Sequence, residues 1–293
     1  MRKIIFCLFL LLLTVPHWLE AQVIKINVQK GQKYLLESST NMSDSNNIGG
    51  LTMKTNMDHK NISVYEVIAT GKNEVTFQVT TTRIILKSVF SGIMEDEISY
   101  DSDTDKEGPT AKLYSKQIGK SKKIIIDNRG NIIKQDKPEE DENPVSDWDW
   151  ARAQSANELF MPLFIGKEFK PGASFPSMDS FTVEKNSTSF SLNKEKMDSR
   201  DSGTYIIMNI EGGIASIFYT GTKVFSMLMK MMGKPMNSIS KSIVKSELRV
   251  NINTGMVMSK TTEEEATIYS GNSDKLTTST SKNTSTIKVT LIQ

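Results

Sequence analysis

The sequence is poorest in the two residue types on which most recognisable site chemistry depends. It has one cysteine, Cys7, and two histidines, His17 and His59. Cys7 and His17 fall in an N-terminal stretch that reads as a cleavable leader, so a mature chain would keep only His59. That excludes a disulfide, a thiol nucleophile and a thiolate metal site. Zinc held by two or three histidines of one chain is excluded as well. A Ser-His-Asp triad would have to use His59, in the polar stretch Asn56-Met57-Asp58-His59-Lys60, and no nucleophile-elbow pattern supplies its serine. His59 reads as a surface residue. No phosphate-binding glycine loop, dinucleotide fingerprint or metalloprotease motif is present. No enzyme activity, no metal and no cofactor is expected.

Long hydrophobic runs and a charge of one sign are also missing. The apolar stretch at residues 4–15 is about twelve residues long, against the ~20 that a membrane-spanning helix needs. Preceded by Arg2 and Lys3 and followed by Ala21, it has the layout of a signal peptide cut between Ala21 and Gln22. No cysteine follows that cut to receive a lipid, so a soluble exported form without a transmembrane span is expected, periplasmic or extracellular. The formal net charge is +2, and losing two cations and one anion with the leader leaves +1. So balanced a surface has no field with which to gather nucleic acid.

What the chain does have is alternation. Apolar and polar residues alternate with period two at 75–79 and again at 287–291, and strand-like stretches recur at 23–28, 33–40, 63–69, 93–100, 123–127, 204–210, 246–252 and 256–268. Gly71-Lys72-Asn73, Asn128-Arg129-Gly130-Asn131 and Asn253-Thr254-Gly255 stand between such stretches as hairpin turns. The Ser/Thr-rich tail at 273–285 runs into the alternation at Ile287 and reads as a returning strand. Two segments have helical spacing instead: 148–160, with Trp150, Ala153, Ala156, Leu159 and Phe160 on one face, and the apolar run 223–232. The expectation is a mainly β, antiparallel fold with one or two helices packed on it.

A weak internal repeat organises these pieces. The first half opens at Val28-Gln29-Lys30-Gly31-Gln32-Lys33-Tyr34 and closes on the hairpin at 123–133. The second opens at Phe169-Lys170-Pro171-Gly172-Ala173-Ser174-Phe175 and closes on the hairpin at 248–257. The acidic, proline-flanked stretch 138–145 reads as a linker. This divides the chain into a leader at 1–21, a first β half at 22–137, the linker, and a helix plus second β half at 146–293, the halves forming a curved sheet or half-barrel. In its leader, its Gly31-x-x-Tyr34 opening, its paired hairpins and its length, the chain resembles a family of uncharacterised exported proteins from Bacteroidota. In plan it is remotely similar to the half-barrels of periplasmic lipoprotein carriers. That likeness implies a curved antiparallel sheet holding acyl chains, and it transfers no residue.

The segment Phe225-Ser226-Met227-Leu228-Met229-Lys230-Met231-Met232 is the most unusual local feature. Methionine is flexible and polarizable, so Phe225, Met227, Met229, Met231 and Met232 suit a lining for an apolar or lipid-like ligand. Spaced thioethers also suit Cu(I), and an apolar helix packed on the sheet explains the same residues. Asp101-Ser102-Asp103-Thr104-Asp105 echoes a calcium loop, yet its glycine stands at 108 instead of 106 and position 112 is lysine where glutamate is needed. It reads as a solvated loop. The expected function is that of a non-catalytic envelope protein holding an apolar ligand. A protein-interaction or structural role using Trp148 and Trp150 is the alternative, and a hydrolase built on two carboxylates is a further one.

Overall fold

The computed structural model describes residues 22–48, 51–92, 95–136, 159–185, 195–231, 234–272 and 275–293. The strands are β1 (Gln22–Val23), β2 (Lys33–Ile48), β3 (Leu51–Thr70), β4 (Glu74–Ser91), β5 (Asp96–Asp101), β6 (Ser121–Asp127), β7 (Ile132–Gln135), β8 (Glu168–Phe169), β9 (Ser174–Lys185), β10 (Glu195–Glu211), β11 (Ile214–Met231), β12 (Lys234–Asn251), β13 (Met256–Asn272) and β14 (Lys275–Leu291). One helix, α1 (Pro109–Ser115), lies between β5 and β6 among the described residues. β1 pairs with β8, and the other strands form one 12-stranded antiparallel sheet in the order β7-β6-β4-β3-β2-β14-β13-β12-β11-β10-β9, with β5 beside β4. The sheet is curved and does not close into a barrel.

Period-two alternation puts one row of each strand inside. In β12, Ser242, Val244, Ser246, Leu248 and Val250 are buried while Lys241, Ile243, Lys245, Glu247 and Arg249 are exposed. The buried serines are paired: Ser242 donates to Glu264 Oε1 at 2.6 Å, and Ser246 shares a hydrogen bond with Thr262 at 2.8 Å. Such pairing removes the penalty of a lone buried hydroxyl.

The two halves repeat in detail. Gly31, at φ 92°, donates its N–H to Val67 O at 2.8 Å, and Gly172, at φ 82°, donates to Ile207 O at 2.7 Å. Val67 N–H returns to Gln32 O and Ile207 N–H to Ala173 O, both at 2.9 Å. A left-handed backbone at this corner is what glycine supplies without strain. Two register breaks match as well: β3 slips against β4 between Val67 and Ala69, and β10 slips against β11 between Ile207 and Asn209, while a further slip of β3 against β4 between Ile62 and Ser63 has no counterpart among the described residues. β6 slips between Ile125 and Ile126, and β12 between Arg249 and Val250. In both closing hairpins a side-chain oxygen two residues back accepts a backbone N–H, Asp127 from Arg129 at 2.8 Å and Asn251 from Asn253 at 2.9 Å. β2-β3-β4-β6-β7 thus corresponds to β9-β10-β11-β12-β13. β14 is extra and joins the halves by pairing with both β13 and β2.

Three expectations are corrected. The run from Lys223 to Met231 is the distal part of strand β11, paired with β10 and β12 throughout, and not a helix. Its apolar residues fall on both faces, Phe225 and Met227 on the inner and Val224 and Leu228 on the outer, which in sequence mimics helical spacing. Residues 23–28 form strand only at Val23; the rest crosses the end of the sheet, where Ile24 enters the second-half core and Val28 the first. Of the 148–160 helix only Leu159 and Phe160 are described, and they are not helical: Phe160 forms an isolated bridge to Met256. Trp148 and Trp150 lie outside the described residues, as do the leader and the linker. The one described helix went unread. Proline opens it at a position with no hydrogen bond to lose, and Tyr114 at its end stacks on Tyr100 at 5.5 Å.

Candidate functional site

The inner face of the first half holds a cavity of about 140 Å³. Adjacent strands build its walls in register. Leu36 faces Ser63, which faces Thr81; Tyr65 faces Val79, which faces Lys122; Phe77 faces Ile124. Ile126 and Ile132 continue the wall, and Leu159 and Phe160, ahead of β8, complete the lining. Phe77 meets Tyr65 edge-on at 6.4 Å and Phe160 at 6.1 Å, so the aromatic side is fixed by ring packing. Polar and apolar groups share the lining about equally, the polar ones coming from Asn61, Ser63, Thr81, Lys122 and Gln135. Ser63 Oγ donates toward Asn61 Oδ1 or Thr81 Oγ1, each at 3.4 Å. Gln135 Oε1, also in the lining, is buried and has no hydrogen-bond partner.

The same place in the second half is filled. Cross-strand pairing puts Tyr205 at the position of Tyr65, Tyr219 at that of Val79, and Gly203 and Gly221 at those of Ser63 and Thr81. Tyr219 packs on Tyr205 with ring centroids 4.4 Å apart. Its ring lies across the two paired glycines: a Cβ on Gly203 would stand 2.6 Å from Tyr219 Cε2, and one on Gly221 2.6 Å from Cζ. The Tyr219 hydroxyl donates to Asp201 Oδ1. Burial and then this hydrogen bond push the phenol well above the ordinary tyrosine range, so it stays protonated. Phe164 packs beside the pair, 5.3 Å from Tyr205.

The candidates drawn from the sequence lie elsewhere. Phe225 and Met227 are half-buried on the inner face of β11, opposite Ser199 and the buried Met197, in the other half from the cavity. Met229 and Met231 sit in the last residues of the same strand, and Met232 and Ala21 lie outside the described residues. Gln22 begins β1. His59 is half-buried on the inner row of β3, between Thr40 and Leu86, not on the outer surface. The acidic loop turns inward on itself: Asp101 accepts from Arg83 Nε at 3.0 Å and from the Asp103 N–H at 3.0 Å, while Asp105 accepts from the Asp101 N–H at 2.8 Å. Among the described residues no three acidic, histidine or cysteine side chains converge for a metal ion. Sequence reading placed Phe77, Val79, Ile124 and Ile126 in strands but missed the cavity they line. Laying the two halves against each other strand by strand would have exposed Val79 against Tyr219.

The outward rows of β12 and β13 are rich in charge. A lipid-facing barrel needs an apolar outward band about 25 Å tall. Here the outward rows of β12 and β13 carry Lys241, Lys245, Glu247, Arg249, Glu263 and Glu265, with Lys282 of β14 pairing Glu265 at 2.9 Å. Among the described residues no helix is long and apolar enough to cross a membrane.

Fold and site together define an open, curved antiparallel sheet with a small cavity of mixed polar and apolar lining on its inner face. No family model matches the chain, and no curated protein matches it. Among solved structures it is similar to the translocator domain of the autotransporter NalP from Neisseria meningitidis, at 8% identity and a TM-score of 0.23, with 90% of each chain covered. It is also similar to an outer membrane channel from Pseudomonas putida, at 6% identity and a TM-score of 0.27, over 90% of this chain and 97% of the other. At such TM-scores neither likeness carries an argument.

Proposed function

We propose that this is a non-catalytic protein of the cell envelope that holds an apolar, lipid-like ligand against the concave side of its sheet. The observation that carries the reading is the cavity of about 140 Å³ in which Tyr65, Phe77, Val79 and Phe160 stand beside the polar Lys122 and Gln135, in a sheet whose outward rows on β12 and β13 are rich in charge. A concave site that sets apolar walls beside placed polar groups is the usual form of a small-molecule site. The leader-like N-terminus, and the resemblance of the layout to exported Bacteroidota proteins, support the envelope address. The ligand contact belongs to the first half; the methionines of β11 stand apart from it and contribute at most a second apolar surface. Native mass spectrometry with lipid extraction, on protein purified from its own exported compartment, tests the reading. A copurifying mass that extracts as an apolar compound is expected, and a clean apo mass that rebinds no lipid would sink the proposal.

A further inference from the structure

The repeat makes the second half an internal control for the first, and the difference between them defines a site. Resting on the ligand-holding reading above, we propose that the binding site is confined to the first half, and that its occupant inserts one ring or a chain of about six carbons carrying a hydrogen-bond donor, which Gln135 Oε1 receives.

Position is the first argument. At equivalent points of the register the second half has a tyrosine lying over two glycines, and the first has Val79 flanked by Ser63 and Thr81. The ring that would close the cavity is the one side chain exchanged for a smaller one. Neighbouring walls match in apolar character, Ile124 against Leu248, Ile126 against Val250 and Tyr65 against Tyr205, so the vacancy is local and not a general loosening.

Size is the second. A dry cavity of about 150 Å³ lined by aliphatic and aromatic side chains is known to take a single benzene ring. The space here, about 140 Å³, is close to that in volume, and its polar residues Asn61, Ser63, Thr81, Lys122 and Gln135 suit an inserted group that carries a polar atom.

Polarity is the third. Ser63, Asn61 and Thr81 have one another as hydrogen-bond partners, whereas Gln135 Oε1 is buried in the lining with none. Buried acceptors without a partner are uncommon in folded proteins. An O–H or N–H on the inserted group completes this one, and a group lacking the donor leaves it stranded, which is how a site rejects an isostere.

Phenol and toluene are matched in shape and differ in the donor, so they are the probes, titrated calorimetrically into the full mature chain. Wild type is expected to bind phenol at least about tenfold more tightly than toluene, a modest share of the discrimination that buried polar groups achieve. Gln135→Leu should erase the preference and keep toluene binding. Transplanting the second half's plug, Val79→Tyr with Ser63→Gly and Thr81→Gly, should abolish binding of both probes. Should that variant not fold, Val79→Phe, which fills part of the same space, must weaken toluene binding. Equal binding of the two probes by wild type overturns the donor argument and leaves the apolar-ligand reading standing. Unchanged toluene binding by the plugged or the Val79→Phe variant overturns the location. If neither probe binds while a lipid still copurifies, this site is wrong and the carrier reading survives; if nothing binds or copurifies, both fall.

Discussion

Glycine inside a strand usually weakens it, and the pair Gly203 and Gly221 shows why two are kept side by side in the middle of β10 and β11. They clear a strip of backbone on which Tyr219 lies flat, an aromatic ring doing for the glycines what their missing side chains cannot. Gly221→Ala should therefore destabilise the protein by about 1–3 kcal/mol, the usual cost of overpacking. A Cβ at Gly221 would press on the tyrosine ring as well as its hydroxyl, so the penalty should shrink in a Tyr219→Ala background, which leaves the Ser202 carbonyl at 2.7 Å as the remaining close contact. A denaturant double-mutant cycle reads this coupling, and strict additivity would refute it. The Arg83 to Asp101 pair makes a different kind of claim. Hydrogen bonds from Arg83, then from the Asp103 backbone, hold the Asp101 carboxyl below the ordinary carboxylate range. A depressed folded pKa contributes stability that is fully present above the unfolded value of about 3.9 and is lost as pH falls through the lower folded value. Asp101→Asn should thus melt below wild type at pH 7, by a small margin because the pair is solvent-screened. The gap should close as the pH drops below the carboxylate range. A gap that persists unchanged in acid would show that Asp101 acts through something other than its charge.

At the scale of elements, β14 holds a position that its composition hides. Eleven of its first residues, 275–285, are mostly serine, threonine, lysine and asparagine, which in isolation reads as a tail. Yet it pairs with β13 on one side and β2 on the other and buries Val289 against the first-half core. Removing residues 273–293 should abolish cooperative unfolding, whereas a truncated chain with an unaltered melting curve would make the strand dispensable. Val289→Ala alone should cost about 1–3 kcal/mol of stability, by loss of buried methyl groups. The same strand explains what was legible. Alternation located the basal parts of the strands, 33–40, 63–69, 75–79 and 246–252, because there one face is buried and the other wet. It did not locate their distal continuations. β2 runs on to Ile48 and β3 starts back at Leu51 through Met-Ser-Asp-Ser-Asn-Asn and Met-Lys-Thr-Asn-Met, where both faces are largely polar and period two fades. In β11 the opposite failure occurred, since apolar residues on both faces erased the alternation and suggested a helix. The cavity was illegible for a third reason. It arises from the size of one side chain relative to its counterpart about half a chain away, and only pairing register reveals which residues are counterparts.

For the whole molecule, the repeat might suggest two independent units, but the packing argues for one. Met256, the first residue of β13, is buried among first-half residues with Phe77, Val79 and Ile126. Ile24, from the N-terminal segment, is buried in the second-half core with Phe164, Ile217 and Val250. Each half therefore completes the other's core, and β14 continues the hydrogen-bonded ladder across the seam. A half on its own would expose Met256 or Ile24 together with a long unpaired strand edge, and such edges favour aggregation over folding. The two halves should consequently unfold in a single transition, with calorimetric and van't Hoff enthalpies in agreement. Two resolved transitions, or a first half that melts alone at the same temperature, would contradict this. The coupling also bears on the ligand. A group bound in the first-half cavity touches Phe160, which bridges to Met256 of the second half, so a ligand that binds only the folded chain should raise the melting temperature of the entire molecule and not that of one half.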